Sequence, residues 1–293
     1  MTGRGLLGFR SAPVQRLRLL ASDRAARREH RSYVVEGVSF VSDALRDAQV
    51  EAVFVEDGFD LSHLAVQPPE GSVYWVEGGV LGRVGGVQTA QGVAAVVAMA
   101  PDGDGPAGGR TSGQGSSEHR PQTAGLFDRP LVLGDALTDP GNVGTLLRTI
   151  EASGGAGLVL GPGSADPYNP KAVRASAGGV MRVPVTCGVD IADALAIACA
   201  GRRLVGASMD RGVAYDRLDW STPSTLVLGN ESHGVSPEVA ASIEEWVHVP
   251  MEGRAESLNV AVTGALCLFE ASRQRRLHTR TKTEEQSHVA RRH

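Results

Sequence analysis

"PLVLGDALTDPGNVGTLLRTIEASGGAGLVLGPG", residues 130–163, carries the same apolar run, Leu-Val-Leu-Gly, on either side of a helical pattern. Each run is too continuous for a strand with one wet face and fits a strand covered on both sides. Pro140 and Gly141 break the chain after the first run, and Gly154 and Gly155 break it before the second. A strand, a helix and a strand in this order make a crossover unit, so the two strands are expected to lie parallel in one sheet.

The same alternation continues downstream. "VMRVPVTC", "RRLVGASM", "STLVLGNE" and "EWVHVPME" read as further short buried strands, and "NPKAVRASAG" and "IADALAIACAG" as helices between them. The expectation is an α/β domain built on a mainly parallel sheet with helices on both faces. Upstream, "PDGDGPAGGRTSGQGSSEHRPQTAG", residues 101–125, has almost no large apolar side chain and reads as a linker. Before it, "SYVVEGVSFVSDALRDA" reads as a short strand or turn feeding an amphipathic helix, and "VEAVFVED", "SVYWVEG" and "GVAAVVAMA" as strands, which together make a smaller α/β domain.

Composition narrows the class. With 37 Gly and 15 Pro in 293 residues the chain is rich in turns, against a helical bundle. Cys187, Cys199 and Cys267 stand apart with no CxxC pair, which argues for a reducing compartment and against structural zinc. No apolar run reaches membrane-spanning length and no secretory signal is evident, so a soluble cytoplasmic protein is expected. Formal net charge is −4, yet residues 10–31 hold Arg10, Arg16, Arg18, Arg24, Arg27, Arg28 and Arg31 against only Asp23 and Glu29. Such a face can track phosphates, or it can be solvated helix surface.

In an open α/β sheet ligands sit beyond the carboxyl ends of the strands, so the polar residues just after strands carry the functional information. Three such loops stand out. In "DALTDPGNVGTLLRT" Asn142 lies at a helix start with Arg148 six residues on; taken alone, these are a helix cap and a surface arginine. In "LVLGNESHGVSPEV" Gly229 follows a buried strand, where a missing side chain would let a ligand near the backbone, and Glu231 follows it. In "HVPMEGRAESLNVAVTGALCLFEAS" the chain turns through Pro250 and Gly253 and sets Ser257 and Asn259 before a helix expected to bury Val262, Leu266 and Phe269. Ser257 alone is explained as that helix's cap.

Together, "NVGTLLR", "LVLGNESHGV" and "VPMEGRAESLNVAV" resemble, in order and spacing, the three signature motifs of the SpoU (TrmH-like) branch of the SPOUT RNA methyltransferases, and "VRASAGGVMRVPV" resembles the usual segment between the first two. The likeness spans about residues 128–275; Val235 and Ala261 stand where Leu or Ile and Ser are frequent. "YVVEGVSFVSDAL" and "TAQGVAAVV" resemble the ribosomal-protein-L30e-like substrate-binding domain that many members carry. The resemblance implies four regions: an L30e-like RNA-binding domain at 11–100, a flexible linker at 101–127, the SpoU/SPOUT domain with a deep trefoil knot at 128–275, and a disordered basic tail at 276–293.

It further implies an S-adenosylmethionine-dependent transfer of a methyl group to a ribose 2′-hydroxyl, in ribosomal RNA of the 23S type ahead of transfer RNA, by a homodimer. Leu228, Gly229, Val249, Met251 and Leu258 would hold the cofactor, and Asn142, Arg148, Glu231, Ser257 and Asn259 would line the reacting side. The family's arginine is often assigned as the base; a guanidinium scarcely gives up its proton, so orienting the phosphate or ribose and stabilising the developing alkoxide fits Arg148 better.

Other classes fare worse. A dinucleotide fingerprint in "GLVLGPGSAD" fails, because Asp166 stands where its last glycine belongs. The eight His are scattered with no HExxH, and no GxSxG exists. A non-catalytic ribosome-assembly factor of the same fold remains as the rival from a different class. Cys267 falls in an apolar helical stripe and is read as core.

Overall fold

A computed structural model describes residues 5–85, 91–100 and 128–290, with side chains described as far as 279. The expected linker at 101–127 lies outside the described residues. By its internal contacts the chain forms two units, Met1–Pro101 with Asp166–Arg182, and Asp102–Ala165 with Val183–His293.

In the first unit α1 (Ala12–Ser22) and α2 (Arg24–His30) lead into β1 (Ser32–Glu36), α3 (Val38–Asp47), β2 (Val50–Glu56), β3 (Val73–Val76), α4 (Val80–Gly85) and β4 (Val93–Ala98). The four strands form one sheet in the order β1-β4-β2-β3, antiparallel except between β2 and β3. Val14, Leu17 and Leu20 of α1 are wholly buried against Val34, Phe54, Val76 and Val96. Asp23 begins α2 by accepting from the backbone of Ala25 at 2.7 Å, which satisfies one of the amides a helix start leaves open.

Asp166–Arg182 clusters with this unit, although the sequence places it inside the second domain at 128–275. The reason is a buried ion pair. Arg27 donates from Nε to Asp166 at 2.8 Å and from Nη1 to the Leu20 carbonyl at 2.7 Å, while Tyr168 packs its ring 5.0 Å from that of Tyr33.

The second unit begins with β5 (Leu131–Gly134), α5 (Pro140–Ser153) and β6 (Gly157–Leu160). The short helices α6 (Pro170–Ala175) and α7 (Gly179–Arg182), which belong to the first unit, come next in the chain. Then follow β7 (Val185–Cys187), α8 (Ile191–Cys199), β8 (Arg203–Ala207), β9 (Val213–Ala214), β10 (Ser224–Leu228), α9 (Pro237–Ala240), β11 (Glu245–His248) and α10 (Val260–Ala290). Seven strands line up as β7-β6-β5-β10-β8-β11-β9, and all six neighbouring pairs are parallel. The expected strands are thus present, save that "VMR" of "VMRVPVTC" is helical.

One consequence positions everything else: the carboxyl ends of β5, β10, β8 and β11, which are neighbours, open on the same edge. Leu131, Leu133, Leu158, Leu160, Leu226 and Leu228 are all nearly inaccessible, as strands covered on two faces require. Asp139 caps α5 by accepting from Gly141 at 2.9 Å, Pro140 fills its first turn, and Gly154 ends it at φ 70°.

Against α5 lies α10, and the approach depends on Gly264. A side-chain carbon there would stand 2.6 Å from Leu146 Cδ2 and 3.0 Å from Leu228 Cδ1. The buried stripe is therefore Ala261, Gly264, Cys267, Leu268 and Ala271. This corrects the expected face: Val262 is 46% exposed and Phe269 47%, and Leu266 is only half-buried. Cys267 is core, and burial pushes its thiol up to about 12. The chain from 276 onward also departs from the expected disordered tail, since α10 runs on to Ala290. Nothing after Gly264 stops it, because residues 265–290 contain neither Gly nor Pro.

Candidate functional site

The loops that follow β5 and β10 are stitched together by their own polar groups. Asn230 and Gly234 exchange a pair of backbone hydrogen bonds at 2.9 Å each, with Gly234 at φ 70°. This folds the second loop back on Gly229, where a Cβ would lie 2.2 Å from the Gly234 carbonyl carbon and 2.3 Å from the Val235 nitrogen. Gly229 is thus demanded by the loop's own closure, a second reason for a glycine beside the expected one. Asn230 Nδ2 donates to the Ala136 carbonyl at 2.8 Å and the Ser236 amide donates to Asp135 Oδ2 at 2.7 Å, which ties the first loop to the second.

Glu231 completes the seam. Its carboxylate accepts from the Thr138 amide at 3.1 Å and hydroxyl at 2.9 Å, from the Asp139 amide at 3.2 Å, and from Asn142 Nδ2 at 2.9 Å. Partial desolvation would raise its pKa, but the Asn142 side chain and the backbone N–H groups outweigh it and hold the carboxyl at about 2. Glu231 is therefore an anion at any physiological pH.

Asn142, buried in the first turn of α5, turns its other end to the third loop: Oδ1 accepts from Asn259 Nδ2 at 2.9 Å. Asn259 Oδ1 in turn accepts from the amides of Ala261 at 2.8 Å and Val262 at 3.4 Å. The cap of α10 is thus Asn259, where Ser257 was the simple expectation, and Ser257 stands exposed in the loop before it.

A cleft of about 580 Å³ lies between the second and third of these loops and the loop after β8. Leu228, Gly229, Val249, Met251 and Leu258, the five positions expected to hold a cofactor, all line it, as do Glu231, Ser257 and Asn259. Asn142 stands behind Glu231 and Asn259 and joins them. Arg148 is the exception. It lies on the exposed side of α5, does not line the cleft, and makes no hydrogen bond or ion pair to any described residue. Six residues of α-helix turn through about 600°, so a side chain at 148 faces away from one at 142. Glu231 and Asn259 bond to Asn142, and neither bonds to Arg148.

The loop after β8 was missed. Ser208, Asp210 and Arg211 line the cleft, and the Arg211 guanidinium sits 5.4 Å over the Trp246 ring, which lines it too. The strand-end rule that picked out the other loops covers this one, and Ser208, Asp210 and Arg211 directly after the strand were the signal that could have found it. Thr138 and Asn230, which hold the loops to one another, were missed as well.

The arginine-rich stretch is largely occupied within the first unit. Arg16 pairs with Glu51 at 2.6 Å, Arg27 is buried on Asp166, Arg31 donates to the Ala100 carbonyl, and Arg18 stands 5.6 Å from the centre of the Phe9 ring. Among the described residues no group of three or more His, Cys, Asp or Glu is placed to hold a metal, and no helix is long and apolar enough to cross a membrane.

Comparison with known proteins gives two family matches: residues 130–269 match the SpoU rRNA methylase family, and residues 12–95 match the MRM3-like substrate-binding domain. The chain is 34% identical over 151 residues to the 23S rRNA (guanosine(2553)-2′-O)-methyltransferase RlmP of Bacillus subtilis, covering 52% of this chain and 61% of that one. It spans between about half and three-fifths of the length of the curated relatives it matches. Among solved structures it is similar to the SpoU methyltransferase AviRb of Streptomyces viridochromogenes in complex with AdoMet, with 27% identity, 91% and 98% of the two chains covered and a TM-score of 0.75. It is likewise similar to a Porphyromonas gingivalis protein assigned to the TrmH family of RNA methyltransferases, with 30% identity, 90% and 98% covered and a TM-score of 0.70. Three loops of matching sequence bonded to one another beside one cleft, and a likeness that runs nearly the full length of both chains, lead to one conclusion: this chain belongs to the SpoU (TrmH-like) family.

Proposed function

We propose that this protein transfers a methyl group from S-adenosylmethionine to a ribose 2′-hydroxyl of RNA, and that the RNA is 23S ribosomal RNA. The observation that carries the reading is that two sequence-distant loops line one cleft and are joined through the third, with Glu231, Asn142 and Asn259 bonded in series. The cleft suits the cofactor: its volume is that of a small-molecule site, and Leu228, Val249, Met251 and Leu258 offer apolar walls alongside backbone acceptors. When bound, the sulfonium supplies an electrophilic methyl group.

The chain's own contribution is positioning. The clamp keeps the cleft walls at fixed separation, which saves reorganisation when the hydroxyl is brought into line. Glu231 is committed to four hydrogen bonds and serves as an anchor, so proton abstraction is not its task. Arg148, exposed and without a partner among the described residues, is the cation assigned to orient a phosphate or ribose of the docked strand and to stabilise negative charge growing on the attacking oxygen.

The first unit, matched to a substrate-binding domain, supports docking of folded RNA through shape, phosphates and 2′-hydroxyls. The exposed Val262 and Phe269 on α10 support assembly as a homodimer, and the placement of β10 between β5 and β8 supports the trefoil knot. A cytoplasmic location goes with an RNA substrate.

Two measurements test the reading: calorimetry with S-adenosylmethionine, then transfer of labelled methyl to 23S ribosomal RNA and to transfer RNA in parallel. Binding with transfer to 23S alone is expected. Binding without transfer to either would mean a non-catalytic RNA-binding factor, and transfer only to transfer RNA would redirect the substrate.

A further inference from the structure

Two residues before β5, at the end of the sheet remote from the cleft, three arginines gather. Arg275 of α10 donates from Nη2 to the Ser153 carbonyl at 3.0 Å, capping the carboxyl end of α5, but its Nη1 is buried and has no hydrogen-bond partner. Burial lowers its pKa, and the charges of Arg129 and Arg276 lower it further. Arg276 makes only a long 3.4 Å contact with Ser272 within α10, and the side chain of Arg129 has no partner among the described residues. None of the three has a carboxylate partner among the described residues. The nearby Asp128 acts instead on Arg202, which is itself buried and donates to the Arg129 carbonyl, fixing the backbone as it enters β5.

A fold gains nothing from three mutually repelling guanidinium groups around an unsatisfied buried donor. Arg129 and Arg276 are exposed and Arg275 is half-buried, so an anion can approach the group from solvent, and the donor that lacks a partner favours one. A tetrahedral anion with several terminal oxygens can accept from three planar forks at once, which one flat carboxylate cannot do.

We propose that Arg129, Arg275 and Arg276 form a phosphate-binding site that takes a backbone phosphate of the RNA substrate. The assignment to RNA rests on the functional reading above; the affinity for phosphate does not. The site lies at the far end of α5 from the clamp, about 21 Å along a helix of 14 residues, with the exposed Arg148 between the two. A strand that follows this helix meets a cation at its middle and the arginine group at its end, so the site would extend the footprint of the substrate well beyond the reacting nucleotide.

The test uses full-length protein with nitrogen-15 arginine, read through the side-chain Nε–Hε resonances. Inorganic phosphate is expected to shift the resonances of Arg129, Arg275 and Arg276, and R129Q/R276Q is expected to abolish the Arg275 response. In parallel, the affinity for a 23S ribosomal RNA transcript is measured against salt. The site holds one phosphate, so its loss in the double variant should lower the slope of log K against log salt by roughly 0.7 to 0.9. Its affinity for S-adenosylmethionine should not change, since neither residue is near the cleft. The variant R275K, which keeps the charge and the cap on Ser153, guards against a fold defect and should retain a weakened phosphate response.

An unchanged salt slope in R129Q/R276Q overturns the RNA assignment even if free phosphate binds, and no resonance shift with either probe overturns the site itself. Should the wild type methylate no RNA at all, the functional reading falls while the inorganic phosphate arm still decides whether the site exists.

Discussion

Asn259 donates from Nδ2 to Oδ1 of Asn142 across 117 residues of chain, at 2.9 Å. Because the other end of the same amide donates to Glu231, the orientation of Asn142 is fixed by chemistry: its NH2 must face the carboxylate and its oxygen must face Asn259. An aspartate at 142 keeps the shape and destroys the logic, since it sets a second carboxylate against Glu231. Asn142→Asp is expected to lower the melting temperature and to weaken cofactor binding at least tenfold, beyond the roughly 1–3 kcal/mol that Asn142→Ala costs by leaving buried partners unpaired. Thermal melts and calorimetry on the two variants check this; an Asp variant as stable as the wild type would sink the clamp.

Glu231 makes the clamp sensitive to acid in a defined window. Its carboxyl, ordinarily at 4.5, is held at about 2 in the folded protein. A depressed folded pKa gives stability that is present above the unfolded value and is lost as pH falls through the folded one. The wild type should therefore lose stability progressively from about pH 4.5 down to about 2, and Glu231→Gln should flatten that part of the profile while being less stable at pH 7. Denaturant midpoints at half-unit pH steps read it directly.

Much of this was legible in the sequence for a physical reason. A strand buried on both faces has to be an unbroken apolar run, and "LVLG" at 131–134, 158–161 and 226–229 is just that, so the sheet could be read without coordinates. β9, at two residues, is too short to carry any pattern, and it exists only because β11 offers an edge. The buried face of α10 was unreadable because Ala261, Val262, Ala265, Leu266, Cys267, Leu268 and Phe269 surround the helix with apolar groups. What selects the face is a side chain that is missing, Gly264. In the site, the polar residues of the three loops could be named from their positions after strands, but not which of them face one another. Asn142 and Arg148 share a motif and part company on the helix surface, which turns on the angle between them.

Gly229 should tolerate no side chain. A methyl group there would sit 2.2 Å from a backbone carbon of Gly234, and backbone held by paired hydrogen bonds cannot yield as a flexible side chain can. Gly229→Ala is expected to cost about 1–3 kcal/mol and to reduce S-adenosylmethionine affinity at least tenfold. Gly253, in the third loop, has nothing within 4 Å of its would-be Cβ, so Gly253→Ala serves as the matched control and should be near neutral. Equal effects from the two would mean that the tight closure at 229 is immaterial.

Arg148 separates binding from chemistry. It touches neither the clamp nor the cleft wall, so Arg148→Ala should leave the melting temperature and the cofactor dissociation constant unchanged. Losing a cation that meets developing negative charge typically costs about a hundredfold to a thousandfold in rate. Single-turnover methyl transfer at saturating RNA is the discriminating measurement. Near-normal turnover would remove Arg148 from the reaction.

The outer face of α10 bears on assembly. Val262 and Phe269 are two turns apart on the same side of the helix, each nearly half exposed, and Leu277, two turns further on, is 48% exposed. Large apolar groups repeated along one exposed stripe favour burial against a second surface. A second copy of the helix offers the same stripe, so a two-fold axis would bury both at once. Phe269→Glu would place a carboxylate in that contact from each side, while leaving the buried stripe on the opposite face intact. The wild type is expected to run as a dimer by size-exclusion chromatography with light scattering and the variant as a monomer at the same concentration, with little loss of monomer fold by circular dichroism. A wild type that is monomeric at tens of micromolar, or a glutamate variant that stays dimeric, would place the contact elsewhere.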